Sequence, residues 1–158
     1  MLTVNCSKIN NTVGTPRDLV KWMENHFNFQ FDFDCCPENS IIDNLRPDVH
    51  WGTYNFCNPP YSDKRSGIKQ FLERAIVEKN NNKTTIMLIP NNSNTKYYND
   101  IMNNCHSIIY LKPIIFIGYD KPFPKGLIIV EINNKPKNTL HKITVDVLGK
   151  QCPKLYWE

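Results

Sequence analysis

Asn58, Pro59, Pro60 and Tyr61 follow one another in the chain, and together they can act on an amino group conjugated to an aromatic base. The lone pair of such an amine is delocalised into the ring, so the nitrogen attacks poorly unless it is drawn toward tetrahedral geometry. Two acceptors accomplish this. The Asn58 side-chain oxygen and the Pro59 carbonyl each take one N–H, leaving the lone pair aimed at an electrophilic methyl group. Both acceptors strengthen as positive charge develops on the nitrogen, which stabilises the transition state over the ground state. The chemistry requires no side-chain nucleophile and no metal. Pro60 fixes its own φ and pushes Pro59 into an extended conformation that turns the carbonyl outward. Tyr61 supplies a ring on which a base drawn out of a duplex can stack. The blander alternative is a Pro-Pro turn that ends a strand, with Tyr61 merely packed.

The segments around this tetrapeptide read as a strand, a rigid turn and a helix. Trp51 to Cys57 is aromatic and Thr-containing like a strand, and Ile68 to Glu78 repeats apolar residues at helical spacing. That order places the motif at the carboxyl end of a sheet strand, where open α/β sheets bind ligands. Upstream, Thr15-Pro16 has the form of a helix start with Thr as N-cap, followed by apolar Leu19, Val20, Trp22, Met23 and Phe27, with an end near Asn28. Phe29 to Cys36 alternates aromatic and polar residues, so it reads as a strand delivering Asp34, a candidate ligand contact, to its carboxyl end. Residues 39–50 are too weakly periodic to assign. Downstream, Thr84 to Ile89 is a continuous apolar run typical of a buried parallel strand, ending in Pro90, Asn91, Asn92 and Ser93 at the edge that carries the motif. Thr95 to Asn104 reads as a helix and Ser107 to Leu111 as a strand. Ile114 to Ile117 and Leu127 to Ile132 are expected to pair as a hairpin, Lys142 to Leu148 as a further strand, and Leu155 to Trp157 to clamp onto the core.

Bulk properties narrow the class. With 158 residues, 41% of them hydrophobic, the chain can bury one good core but not two ordinary ones. The division expected is an arm at 1–14, a core at 15–132 and a C-terminal extension at 133–158 packed on that core. A net charge of +4 suits a nucleic-acid partner without demanding one. Six cysteines without paired CxxC spacing, two of them the adjacent Cys35 and Cys36, are expected to be reduced thiols. Cys105-His106 is too little for a zinc site, so no metal is assigned. The first residues lack the basic start and apolar core of a secretory signal, and no apolar run approaches membrane length, so a cytoplasmic protein with no membrane partner is expected. The 21 asparagines reflect A/T-rich codons better than function.

With these pieces in order the chain resembles the phage-type DNA adenine methyltransferases, Dam-like enzymes with an Asn-Pro-Pro-Tyr motif. The resemblance runs from Thr15 to about Ile132 through TPRDL, FDFDCCPEN, FCNPPYS, FLERA, IMLIPNNSNTKYY, IIFIG and GLIIVEI. It implies an α/β fold with a compact Rossmann-like class I methyltransferase sheet and flanking helices. It also implies S-adenosylmethionine as donor, and double-stranded DNA with a flipped adenine as substrate. Thr15, Pro16 and Asp34 would help hold the cofactor, with Asn39 and Asp43 at plausible cofactor-side positions. Lys64 and Arg65 beside the turn, with Asn91 and Asn92, would be available to DNA. Three features depart from the family pattern: no Gly-x-Gly loop follows Phe29 to Cys36, Asn94 stands where an aspartate is usual, and the interval from Asp34 to Asn58 is short. A sheet reduced on its cofactor side is therefore expected.

Two other readings stay open from sequence. The motif reads the amine and not the sugar, so adenine in RNA is a possible substrate. The missing glycine loop allows a non-catalytic nucleic-acid-binding or scaffold protein that has kept the fold. Since no recognition module is visible, a homodimer or an accessory recognition partner is also allowed.

Overall fold

The computed structural model describes residues 14–37, 43–61 and 67–137, together with the backbone of 141–145 and 151–155. The chain forms a mixed α/β structure around an open sheet. Helix α1 spans Arg17–Phe27, α2 Ile68–Lys79 and α3 Tyr97–Asn104. The strands are β1 (Phe33–Asp34), β2 (Tyr54–Cys57), β3 (Thr84–Pro90), β4 (Cys105–Tyr110), β5 (Leu127–Ile132), β6 (His141–Val145) and β7 (Gln151–Leu155), in the order β1-β2-β3-β5-β4-β6-β7. Strands β1, β2 and β3 are parallel, and β5 inserts antiparallel between β3 and β4.

Side-chain alternation along β3 divides the core. Met87 and Ile89 point to one face with Phe71 and Leu72 of α2 and Ile101 of α3, while Ile86 and Leu88 point to the other with Leu19, Trp22 and Met23 of α1. Because helices cover both faces, β5 is buried along its whole length and β3 along all but its first residue. The continuous apolar runs of these strands have this cause.

Several expectations need adjusting. Helix α1 begins one residue later than its Thr-Pro start suggested: Pro16 has ψ 135 and is itself the N-cap, its carbonyl accepting from the Leu19 and Val20 amides. Thr15 therefore lies outside the helix and does not cap it. The end near Asn28 is as read, with Asn28 in the left-handed region at φ 62, which asparagine tolerates. The strand expected over Phe29 to Cys36 contracts to Phe33–Asp34, although Asp32 N–H to Tyr54 O and Cys35 N–H to Phe56 O extend its ladder by one bond at each end. Phe29 and Phe31 instead join an aromatic row with Phe27, Tyr54 and Phe56. The proposed hairpin between Ile114 to Ile117 and Leu127 to Ile132 does not form. Strand β5 pairs with β4 and β3, and the 114–117 segment makes one isolated bridge, between Ile117 and Gly14. Two long neighbours already saturate both edges of β5. The strand expected at Lys142 to Leu148 is present in its first part as β6, beside β4, and residues 146–148 lie outside the described residues. Tyr156 and Trp157 lie outside the described residues.

The parallel arrangement brings the carboxyl ends of β1, β2 and β3 to one sheet edge. Asp34, Asn58 and Asn91 sit there, although 57 positions separate the first from the last.

Candidate active site

Asn58 is 2% exposed, immediately after β2, and both ends of its amide are held. Its Nδ2 donates to Thr15 Oγ1 at 3.1 Å, and its Oδ1 accepts from the Tyr61 hydroxyl at 2.7 Å. The Tyr61 hydroxyl also lies 3.1 Å from the Leu88 carbonyl of β3. Pro59 and Pro60 are buried, and Tyr61 is half-buried, its ring edge-on to Phe123 at 5.4 Å and to Phe116 at 6.5 Å. Burial pushes the Tyr61 phenol well above its ordinary range, so it stays protonated and keeps its donor. Tyr61 is thus folded inward against Asn58.

A cleft of about 430 Å³ opens beside this network, between the start of α1 and the ends of β1 and β2. Thr15, Asp34 and Asn58 all line it. Its apolar wall comes from Val20, Phe31, Phe33 and Phe56, with Arg17 and Ile117 at the rim. The Asp34 carboxylate accepts the Cys36 amide at 3.0 Å. Burial among surrounding protein atoms raises its carboxyl to about 6, and the Cys36 hydrogen bond pulls the other way. Its side chain nevertheless remains accessible through the cleft, so solvent tempers the rise. Asn44 supports the turn after β1: its Nδ2 donates to the Cys35 carbonyl at 2.9 Å, while its own carbonyl accepts Trp51 Nε1 at 2.8 Å.

Of the residues singled out from sequence, Thr15, Asp34 and Asn58 converge on the cleft. Pro16 adjoins it as the α1 cap. Asp43 does not line it; its carboxylate accepts the Leu45 amide within a local turn. Asn91 and Asn92 sit at the same sheet edge, but Asn92 is engaged in its own turn, accepting both the Thr95 amide and hydroxyl through its carbonyl. Asn39, Lys64 and Arg65 lie outside the described residues. Sequence reasoning missed Arg17, Val20, Phe31 and Asn44. For Phe31 the alternation of FQFDFD held a usable signal; for Asn44 there was none. Cys35, Cys36, Cys57 and Cys105 are buried, and none of them is in a disulfide among the described residues. No described helix is long and apolar enough to cross a membrane.

A sheet edge that gathers these residues around an Asn-Pro-Pro-Tyr turn agrees with what sequence comparison finds. A family model for DNA N-6-adenine-methyltransferase (Dam) matches residues 6–140, and the chain belongs to that family. One relative is a DNA N-6-adenine-methyltransferase of Haemophilus phage HP1, 28% identical over 106 residues, which cover 61% of this chain and 60% of the relative. The chain thus spans about 60% of the length of the curated relative it matches.

Proposed function

We propose that the protein methylates the exocyclic amino group of adenine in double-stranded DNA, using S-adenosylmethionine, with the target base flipped out of the helix. The observation that carries this reading is the convergence of Thr15, Asp34 and Asn58 on one cleft, in a chain of this family. We take residues 15–132 as the catalytic core and the sheet as a Rossmann-like class I methyltransferase sheet cut back on its cofactor side, where two-residue β1 stands at the edge.

The cleft fits the cofactor. Its volume lies within the roughly 300–1,000 Å³ of small-molecule sites. Phe31, Phe33, Phe56 and Val20 suit an adenine ring, and the Asp34 carboxylate suits the cationic amino group of the methionine end. When bound there, S-adenosylmethionine supplies an electrophilic methyl group. The chain's own residues then orient the acceptor. By engaging Nδ2, Thr15 fixes the Asn58 amide with Oδ1 toward the incoming amine. The Tyr61 hydroxyl must leave Oδ1 as the base enters, and its ring becomes the stacking surface. Asn58 Oδ1 and the Pro59 carbonyl each accept one amine N–H, and the proton released from the methylated nitrogen passes to water. Holding the reactants in line is the largest contribution, worth roughly 7–11 kcal/mol in favourable cases.

The test is transfer of labelled methyl from S-adenosylmethionine to unmethylated duplex DNA and to a matched RNA, followed by digestion and identification of the product. Label in 6-methyladenine from DNA is expected. Label in RNA alone would overturn the substrate assignment, and no label on either, together with no cofactor binding by calorimetry, would leave a scaffold.

A further inference from the structure

Strands β4 and β5 are antiparallel neighbours and consecutive in the chain, so a loop of roughly 2–5 residues would join them. The chain instead spends the sixteen residues from Leu111 to Gly126. Connections of that length without regular structure of their own are uncommon in compact domains and are usually functional.

This loop is pinned. The Ile117 amide donates to the Gly14 carbonyl at 2.8 Å, Phe123 to Ile114 at 3.0 Å, and Tyr119 to Phe116 at 3.1 Å, while the Gly126 carbonyl accepts from Asn91 at 2.8 Å. Gly118, at φ 91, makes the reversal that a side chain would strain. One side of the loop faces inward: Ile114 and Phe116 are buried, and Phe123 packs against the Tyr61 ring. Its other side is open. Tyr119 is 54% and Ile117 48% exposed, two of the four exposed large apolar side chains among the described residues. Tyr119, Pro122 and Pro124 frame an apolar recess of about 390 Å³ with Phe116 and Phe123. The loop also carries exposed Lys112, Lys121 and Lys125 against the single acid Asp120, with Lys121 and Asp120 lining the recess, and none of these lysines is in an ion pair among the described residues.

We propose that this loop is the surface that receives the DNA strand flanking the extruded adenine, with Tyr119 stacking on a neighbouring base and Lys121 and Lys125 on its phosphates. The proposal rests on the function proposed above. Its support is the pairing of an exposed aromatic with cations that make no ion pair among the described residues, the pattern of a nucleic-acid strand groove, on a pinned loop one ring away from Tyr61. A strand whose base stacks on Tyr61 must pass over the surface beside it.

The test is fluorescence anisotropy of a labelled DNA duplex across a salt series, with S-adenosylmethionine titrated by calorimetry in parallel. Tyr119→Ala should weaken DNA binding about tenfold and Tyr119→Phe should restore it to within about twofold, since stacking needs the ring and not the hydroxyl. Combining Lys121→Ala with Lys125→Ala should reduce the slope of log affinity against log salt by about 2. Cofactor binding should be unchanged in all of them. Were Tyr119→Ala to lose cofactor binding as well, the lysine pair would decide, and an unaltered salt slope would overturn the proposal. Wild-type protein that methylates DNA, beside loop variants that bind it equally well, would overturn this inference alone; wild-type protein that neither binds nor methylates DNA would overturn both. A dimer that depends on Tyr119, with DNA affinity untouched, would assign the loop to self-association instead.

Discussion

The middle of the sheet and its β1 edge are built from different interactions. Strands β3 and β5 share six consecutive residue pairs, and every one of the β5 residues is buried. Strand β1 has two residues, and side chains hold the chain around it: Asp32 accepts the Thr53 and Tyr54 amides, Asn44 donates to the Cys35 carbonyl, and Trp51 Nε1 donates to Asn44. Even Gly52 belongs to this fastening, since a Cβ there would lie 2.1 Å from Asp32 Oδ1. Burial secures the middle, whereas specific polar contacts secure the edge and leave space beside it. That space is the cleft. The lesson is a division of labour in which the densely paired centre carries stability and the sparsely paired edge frames the candidate site, positioned by the centre but contributing little to it.

Substitutions on each side of this divide should separate stability from activity. The largest effect belongs to the centre: Ile129→Ala removes a fully buried side chain facing α1 and should cost about 2–5 kcal/mol in denaturant unfolding, while activity per folded molecule changes little. Next is Thr15→Val, which deletes the acceptor for Asn58 Nδ2 and should lower kcat about tenfold at saturating cofactor, the condition needed because Thr15 also lines the cleft. Thr15→Ser should keep most of the rate. An unchanged kcat in Thr15→Val would mean that the amide is oriented by other contacts.

The smallest effect concerns pH. The Asp34 carboxyl is raised to about 6, above its unfolded value near 4. Its charged form therefore opposes folding, in full above pH 6 and not at all below pH 4. A cationic ligand wants that same charged form. Because solvent tempers the rise, calorimetry should find cofactor affinity flat above pH 7 and weaker at pH 5.5 by up to about fourfold. Asp34→Asn should bind weakly without this pH dependence, and its melting temperature at pH 7.5 should equal or exceed wild type. A melting temperature well below wild type would make Asp34 a structural residue.

The elements legible in the sequence were those whose signal is local. Thr84 to Ile89 announced a buried strand because both of its faces are covered, and Ile68 to Glu78 announced a helix because one face is. Asn58 to Tyr61 stood out because two prolines fix a backbone shape. Contacts made across the fold were not legible. Thr15 before Pro16 reads locally as an N-cap, and only the extended Pro16 backbone turns it toward Asn58, 43 residues away. The hydroxyl of Tyr61 bonding to Asn58 and Leu88 depends on β2 and β3 lying side by side. Ile114 to Ile117 has the composition of a strand, yet β5 had better partners.

The most direct test of the account is the single-turnover rate of methyl transfer to duplex DNA by Asn58→Ala and wild-type protein, each saturated with S-adenosylmethionine. Removing the acceptor should slow transfer by roughly 100-fold or more while calorimetric cofactor affinity and melting temperature stay close to wild type. A variant that transfers methyl at near the wild-type rate would contradict the acceptor mechanism and the assignment of the cleft as the active site.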